Sequence, residues 1–287
     1  MQSRKMHCFG NCFRVCFVRN RIDEWEPAAV MPLKTPRGNQ EKIRMIKSTL
    51  CVALVALLAG AAHADVYNDN SGNHLDGGDV HDFFYSQGFT HLDITMVEVT
   101  NDSSFIYFDI HVDADIDATN WGKYLIGIDT GANDGDNSTD PGSWNRNVDW
   151  GRGITDFVGS WADDGGSGAG GELRSFDGTN WNLTDATYAA GTDINADDSG
   201  HASGIQRIGL SLAALGLSVG DTIEFDVFAT GGGADPGVDH LSRSDFATDD
   251  WANQSSAGDF LSYTVIPAPG SMALLGLGGL ITVRRRR

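Results

Sequence analysis

Along residues 65–265 the apolar positions recur mostly at a spacing of two. In Phe105-Ile106-Tyr107-Phe108-Asp109-Ile110-His111-Val112 one side takes Ile106, Phe108, Ile110 and Val112 while Tyr107, Asp109 and His111 take the other, the alternation of a half-buried strand. Ile223, Phe225, Val227 and Ala229 repeat it against Glu224 and Asp226. Further short apolar runs at 92–99, 124–128, 154–161, 172–176, 181–186, 206–212 and 261–265 are separated by Asn/Asp/Gly clusters, which favour turns. Asn101-Asp102-Ser103-Ser104 is expected to join the first pair of strands, and Asp177-Gly178-Thr179-Asn180 to close a hairpin between Phe176 and Trp181. Only residues 212–217 suggest a helical turn, ended by Gly216 or Gly220. About nine short strands with little helix predict an all-β domain, a two-sheet sandwich of jelly-roll or immunoglobulin-like type.

The pattern changes at both ends. Residues 50–62 form an unbroken apolar run, preceded by Arg44 and Lys47 and followed by Ala62-His63-Ala64. A basic segment, a short apolar segment and a small-x-small site make residues 45–64 a secretory signal peptide, with cleavage between Ala64 and Asp65. The run is too short to cross a hydrocarbon layer of about 30 Å. The Sec translocon and signal peptidase are the implied partners. Residues 1–44, ahead of Met45, have mixed charge, three Pro and no apolar period. Met45 is the expected initiator, and 1–44 an upstream start assignment or a disordered extension. Cys8, Cys12 and Cys16 beside His7 match no zinc-ligand spacing.

The C-terminal segment reads Ile266-Pro267-Ala268-Pro269, then a Gly/Leu-rich stretch from Gly270 to Val283, then Arg284, Arg285, Arg286 and Arg287. The two Pro cannot donate backbone hydrogen bonds and so separate the segment from the fold. The Arg cluster is of the kind that stays cytoplasmic. The stretch is about 21 Å long as a helix, and its Gly content weakens it as a permanent anchor. This order of parts resembles the PEP-CTERM sorting tail of exopolysaccharide-producing Gram-negative bacteria, with Ala268 where that family has a central Glu. The resemblance implies a short hydrophobic sorting helix, transient inner-membrane association, and cleavage near Pro267 to Pro269 by an exosortase-type protease. The implied destination is the cell surface or extracellular matrix.

Charge sharpens the division. Residues 1–64 hold 10 Lys/Arg against four Asp/Glu, 65–265 hold six against 35, and 266–287 hold four Arg and no acid. A domain this acidic repels polyphosphate, so nucleic acid is not an expected partner. All four Cys lie before residue 65, which leaves the domain without disulfides and dependent on burial of its alternating faces. The strand order around 104–112, Tyr124-Leu125-Ile126-Gly127-Ile128-Asp129-Thr130, and the later strand, Leu-rich turn and strand over 211–227 are similar to DOMON-like sandwiches. That group includes family 9 carbohydrate-binding modules and C-terminal domains of some secreted glucan-degrading enzymes. The resemblance implies the same sandwich, with sugar binding as its associated activity.

Two sets of residues carry candidate chemistry. Asp113, Asp115 and Asp117 alternate after a strand, and the loop 129–140 presents Asp129, Asp134, Asp136 and Asp140. Dense oxygen ligands suit calcium, which takes six to eight of them. Gly131, Ala132 and the missing closing Glu depart from the EF-hand pattern, and acidic turns without a metal are the alternative. Trp121, Trp144, Trp150 and Trp251 lie among Asn, Asp, Gly and Ser, where an aromatic face beside amides and carboxylates makes a sugar platform. The plainer role is to plug the ends of the sandwich, and Trp161 and Trp181 are expected to pack on it.

No metalloprotease His pair, Gly-x-Ser-x-Gly elbow or phosphate loop occurs. The expectation is therefore an exported, non-enzymatic β-sandwich that associates with extracellular polysaccharide, with calcium as its candidate ion. A carbohydrate-active enzyme, glycosidase or lyase, using Asp carboxylates is the first alternative. A purely structural surface protein is the second.

Overall fold

The computed structural model describes residues 64–119, 121–137, 144–162, 168–187 and 192–268, together with the strands β1 (Met6–Phe9), β2 (Val15–Arg19) and β3 (Trp25–Ala28). The chain divides into two units, Met1–Leu58 and Ala59–Arg287. In the first, β1, β2 and β3 pair antiparallel, a feature that the irregular pattern of 1–44 did not announce. Cys12, Met45, Ala62, Asp140, Pro269 and Arg284 to Arg287 lie outside the described residues.

The second unit is an all-β sandwich. Its elements are β4 (Asp65–Asn68), helix α1 (Asp82–Tyr85), β5 (Ile94–Asn101), β6 (Phe105–Val112), β7 (Lys123–Asp129), β8 (Val148–Asp149), β9 (Asp156–Trp161), β10 (Gly170–Phe176), β11 (Trp181–Thr187), β12 (Ile194–Asp197), β13 (Ile205–Ser211), β14 (Thr222–Thr230), β15 (Gly237–His240), β16 (Ser255–Ser256) and β17 (Leu261–Thr264). The small sheet has the order β12-β13-β6-β5-β4. The large sheet has the order β11-β10-β9-β7-β14-β15, with β17 also on β14. Pairing within both sheets is antiparallel.

The alternation read from the sequence supplies the core between the sheets. Ile106, Phe108 and Ile110 of β6 meet Ile223, Phe225 and Val227 of β14 in one buried cluster with Ile126, Val158, Leu173 and Ile208. Asp102 closes the β5–β6 hairpin by accepting from the backbone N–H of Ser104 and Phe105 and from the Tyr107 hydroxyl. Asp177 does the same at Thr179 and Asn180 between β10 and β11. Residues 212–217 form the expected helical turn: Leu215 N donates to Ser211 O at 3.2 Å, and Gly216, at φ +68°, ends it with Leu217 N donating to Leu212 O at 2.8 Å. Helix α1 and strands β4, β8, β12, β15 and β16 were not among the expected elements. Each spans two to four residues, too short for a period to show.

The central strands of the large sheet, β7, β9 and β14, are covered on both faces. On the side away from the small sheet, Leu125, Phe157 and Phe228 pack with Val148, Trp150 and Ile154 in a second cluster. The chain between β7 and β9 supplies that cover. A side chain at Gly127 would collide with the Trp150 ring, and one at Gly159 with the Trp144 ring; the two glycines make room for flat indoles against the sheet. Ser255 and Ser256 of β16 pair in parallel with Val148 and Asp149 of β8, forming a short ribbon over this outer face.

Candidate functional site

Two openings flank the β8–β16 ribbon. Because its strands run parallel, the residues before both strands share one end and the residues after both share the other. At the first end a cavity of about 420 Å³ is lined by Asn145, Arg146, Asn147, Ala234, Asp235, Trp251 and Ala252. At the other, a cavity of about 570 Å³ is lined by residues that include Trp150, Arg152, Arg243, Asp245, Asp259 and Phe260.

The two differ in what is committed. In the larger opening, Arg152 pairs with Asp129 and Glu224 and lies over the Phe260 ring, and Arg243 pairs with Asp245 and donates to Ser256. In the smaller one, Arg146 is only 4% exposed, donates from one terminal nitrogen to Gly231 O at 3.2 Å and has no partner at Nε. Burial lowers the pKa of this guanidinium, against the opposing charge of Asp235. Trp251 is held edge-on by Phe84 and tilted against Phe89, at 4.7 and 5.9 Å between ring centroids. An indole, two amides and one carboxylate thus line a single concave space, with the Arg146 guanidinium buried beneath them over the Trp144 ring at 5.3 Å.

A second concentration of charge lies at the edge of the sandwich. Asp69 follows β4, Asp79 precedes α1, Asp93 precedes β5 and Asp239 lies in β15. One carboxylate oxygen from each of Asp69, Asp79 and Asp239 falls within 4.8 Å of the others. Asp79 is 1% exposed, and its carboxyl lies against that of Asp69 and the backbone N–H groups of Asn70 and Asp79 without a hydrogen bond of good geometry; Asp93 is fully buried and Oδ1 has no partner. Its Oδ2 accepts from Gly72 N at 2.9 Å, and Asp239 Oδ2 accepts from Ile94 N at 2.6 Å. Burial pushes Asp69 up to about 9, Asp79 to about 6 and Asp93 to about 7; burial and the neighbouring carboxylates also hold Asp239 well above the usual range. No ion pair among the described residues involves any of the four.

Beside this edge, His240 Nδ1 meets Asp226 Oδ2 at 2.6 Å and its Nε2 meets Ser255 Oγ at 3.1 Å. The order of groups is that of a Ser-His-Asp triad. All three residues are fully buried, and Gly237 N donates to the same Oγ at 2.8 Å. A hydroxyl sealed from solvent cannot meet a substrate, so this relay is a strut between β14, β15 and β16.

The expected sites are redistributed. Asp113, Asp115, Asp117 and Asp134 are exposed, and none of the expected metal ligands that are described belongs to a group of three converging ligands. The chain bends after Val112, so the strand alternation assumed for Asp113, Asp115 and Asp117 does not continue. Asp129 is taken up by Arg152 and by Gly131 N, and Asp136 accepts from Trp181 Nε1 at 2.8 Å. Trp150 is 2% exposed and offers no platform; this expectation is corrected by its packing on Gly127. Trp144 stacks near Trp161 and donates to Glu172 Oε2 at 2.9 Å. Trp121, 37% exposed, and Trp251 meet the opposite ends of one aromatic row through Phe89. Asp65 opens β4 and Pro267 is exposed just past the last anchor, where Asn101 bonds both the N–H and the carbonyl of Ile266.

Sequence reasoning did not single out Asp69, Asp79, Asp93, Asp239, Arg146 or Asp235. They are dispersed along the chain; the one local signal was the Asp/Asn/Gly-rich run over 68–79. The fold and the open aromatic cleft define an all-β sandwich with a concave polar-aromatic surface. No family model, curated protein or solved structure matches the chain. No helix among the described residues is long and apolar enough to cross a membrane.

Proposed function

We propose that the chain is an exported, non-enzymatic β-sandwich that associates with extracellular polysaccharide at the cell surface or in the matrix, through the cleft at Trp251. The cleft itself carries this reading. A ring face stacks on the apolar side of a sugar, while Asn145, Asn147 and Asp235 offer donors and acceptors for hydroxyl groups. The basic and apolar run before Ala64 supports export, and the Pro-x-Pro and Arg-cluster tail supports sorting by an exosortase-type protease. A glycosidase needs two carboxyl groups across one opening, about 5–9.5 Å apart; the Trp251 cleft is lined by one carboxylate, Asp235. The larger opening is lined by two, Asp245 and Asp259, of which Asp245 is already paired with Arg243.

Affinity electrophoresis of the full chain through a panel of polysaccharides, with a parallel assay for reducing ends and unsaturated products, tests the reading. Retention without cleavage is expected, with Trp251→Ala and Asn147→Ala each weakening it roughly tenfold or more. Asn147→Ala leaves the aromatic packing intact, so it separates lost binding from lost folding. Cleavage of any polysaccharide converts the assignment to a carbohydrate-active enzyme, and absence of retention across acidic and neutral polymers supports a structural surface protein.

A further inference from the structure

We propose that Asp69, Asp79 and Asp239, with Asp93 beside them, form a calcium site that fastens the edge of the small sheet to the edge of the large one. The site is separate from the Trp251 cleft, and its existence does not depend on what that cleft binds.

β4 is the outermost strand of the small sheet and β15 ends the main strand order of the large one. Asp69 leaves β4, Asp93 enters β5, and Asp239 projects from β15. The bond from Ile94 N to Asp239 Oδ2 already ties the two edges. The loop carrying Asp79 is held to the same corner by Val80 N donating to Gly72 O at 3.1 Å and by Gly72 N donating to Asp93.

Donor chemistry then selects the ion. The mutual separations within 4.8 Å are what oxygens on one calcium ion require, since Ca–O distances of about 2.3–2.6 Å put opposite ligands roughly 5 Å apart. Magnesium, at about 2.0–2.1 Å, fits inside the same limit, but it dehydrates reluctantly and is usually held by one or two carboxylates with several waters, so a buried set of three carboxylates suits calcium better. The donors are carboxylate oxygens alone, without the His or Cys that would favour zinc.

Asp93 supplies an observation independent of the three converging acids. It is fully buried, stands outside their group, and keeps Oδ1 without any partner. Asp79, neither of whose oxygens makes a hydrogen bond of good geometry, can bind through one or two of them. Buried polar groups are ordinarily hydrogen-bonded, and leaving several buried carboxylate oxygens unmatched is costly. A divalent cation held by Asp69, Asp79 and Asp239 removes that cost for the carboxylates that converge on it.

The test uses the purified full chain. Native mass spectrometry and calorimetric titration are expected to give one calcium per chain at this site. Thermal unfolding in calcium about a hundredfold above Kd is expected to rise by roughly 5–10 °C over the chelated protein. Asp79→Asn, which keeps the shape and removes one charge, is expected to weaken binding by about tenfold or more, whereas a triple Asp113→Asn, Asp115→Asn, Asp117→Asn variant retains it. No calcium-dependent shift in the wild-type chain overturns the proposal, and this measurement stands even if Asp79→Asn does not fold. Unchanged affinity in a folded Asp79→Asn variant, or an equal shift with magnesium, also overturns it.

Discussion

The two faces of the large sheet are built from the same strands and behave differently. Toward the small sheet, Ile223, Phe225, Val227 and Ala229 fill the sandwich core that their spacing predicted. Away from it, Phe228 joins Leu125, Phe157 and the loop residue Trp150 in a second core, while Asp226 enters the His240 relay. An alternating strand normally leaves one face wet. Here the connection between β7 and β9, together with β16, covers that face, and both clefts open at the ends of the covering ribbon. The inner face holds the fold together, whereas the outer one combines stabilisation with presentation of polar groups.

That contrast can be broken most directly by removing one large side chain from each face. Phe225→Ala and Trp150→Ala are each expected to cost about 3–5 kcal/mol in denaturant unfolding, because both side chains are buried. A cost below about 1 kcal/mol for Trp150→Ala would show that the outer cover is merely draped over the sheet.

Overpacking gives the next effect. Gly127→Ala places a methyl group against the Trp150 indole and is expected to destabilise by about 1–3 kcal/mol, with a changed near-ultraviolet circular dichroism signal from the displaced ring. Unaltered stability and spectrum would mean that the outer cover yields freely.

Within the relay, Ser255→Ala is expected to cost about 1–3 kcal/mol, as it strips buried polar partners from His240 Nε2 and Gly237 N. It should leave polysaccharide retention intact; loss of retention in a folded Ser255→Ala protein would connect the relay to the binding surface.

The smallest effect concerns Asp185, at the edge where β11 leads toward β12. Its carboxylate accepts from Asp193 N and Ile194 N, which hold its pKa below the ordinary value. A depressed folded-state pKa contributes stability above the unfolded value of about 3.9, and the contribution disappears as pH falls through the lower folded value. Asp185→Asn is therefore expected to cost at most about 1 kcal/mol at pH 7, after allowance for solvent screening, and close to nothing at pH 2. An equal cost at both pH values would assign the effect to packing.

Particular strands show how much was legible. β6 and β14 have eight and nine residues, long enough for a period of two to stand out from chance. β15, Gly237-Val238-Asp239-His240, has all four residues buried, so no polar side marks it. It nevertheless supplies Asp239 to the carboxylate corner and His240 to the relay. Trp150 sits in a polar context that reads as exposed; its burial depends on Gly127, and nothing local connects the two. Exposed acids such as Asp113 and Asp115 resembled ligands because density along the chain is visible, whereas convergence in space is not.

By itself, the sequence determined that residues 65–265 form an all-β, acidic, cysteine-free domain, because alternation, turn residues and charge are local properties of the chain. Tertiary structure decided which face of each sheet would be covered, which tryptophan would be buried, and which three of many aspartates would meet. The reason is physical: Ile94 and Asp239 are 145 residues apart, and their contact exists only once both sheets have closed. Such long-range closure is set by register and packing, so the carboxylate corner and the Trp251 cleft come into being with the fold.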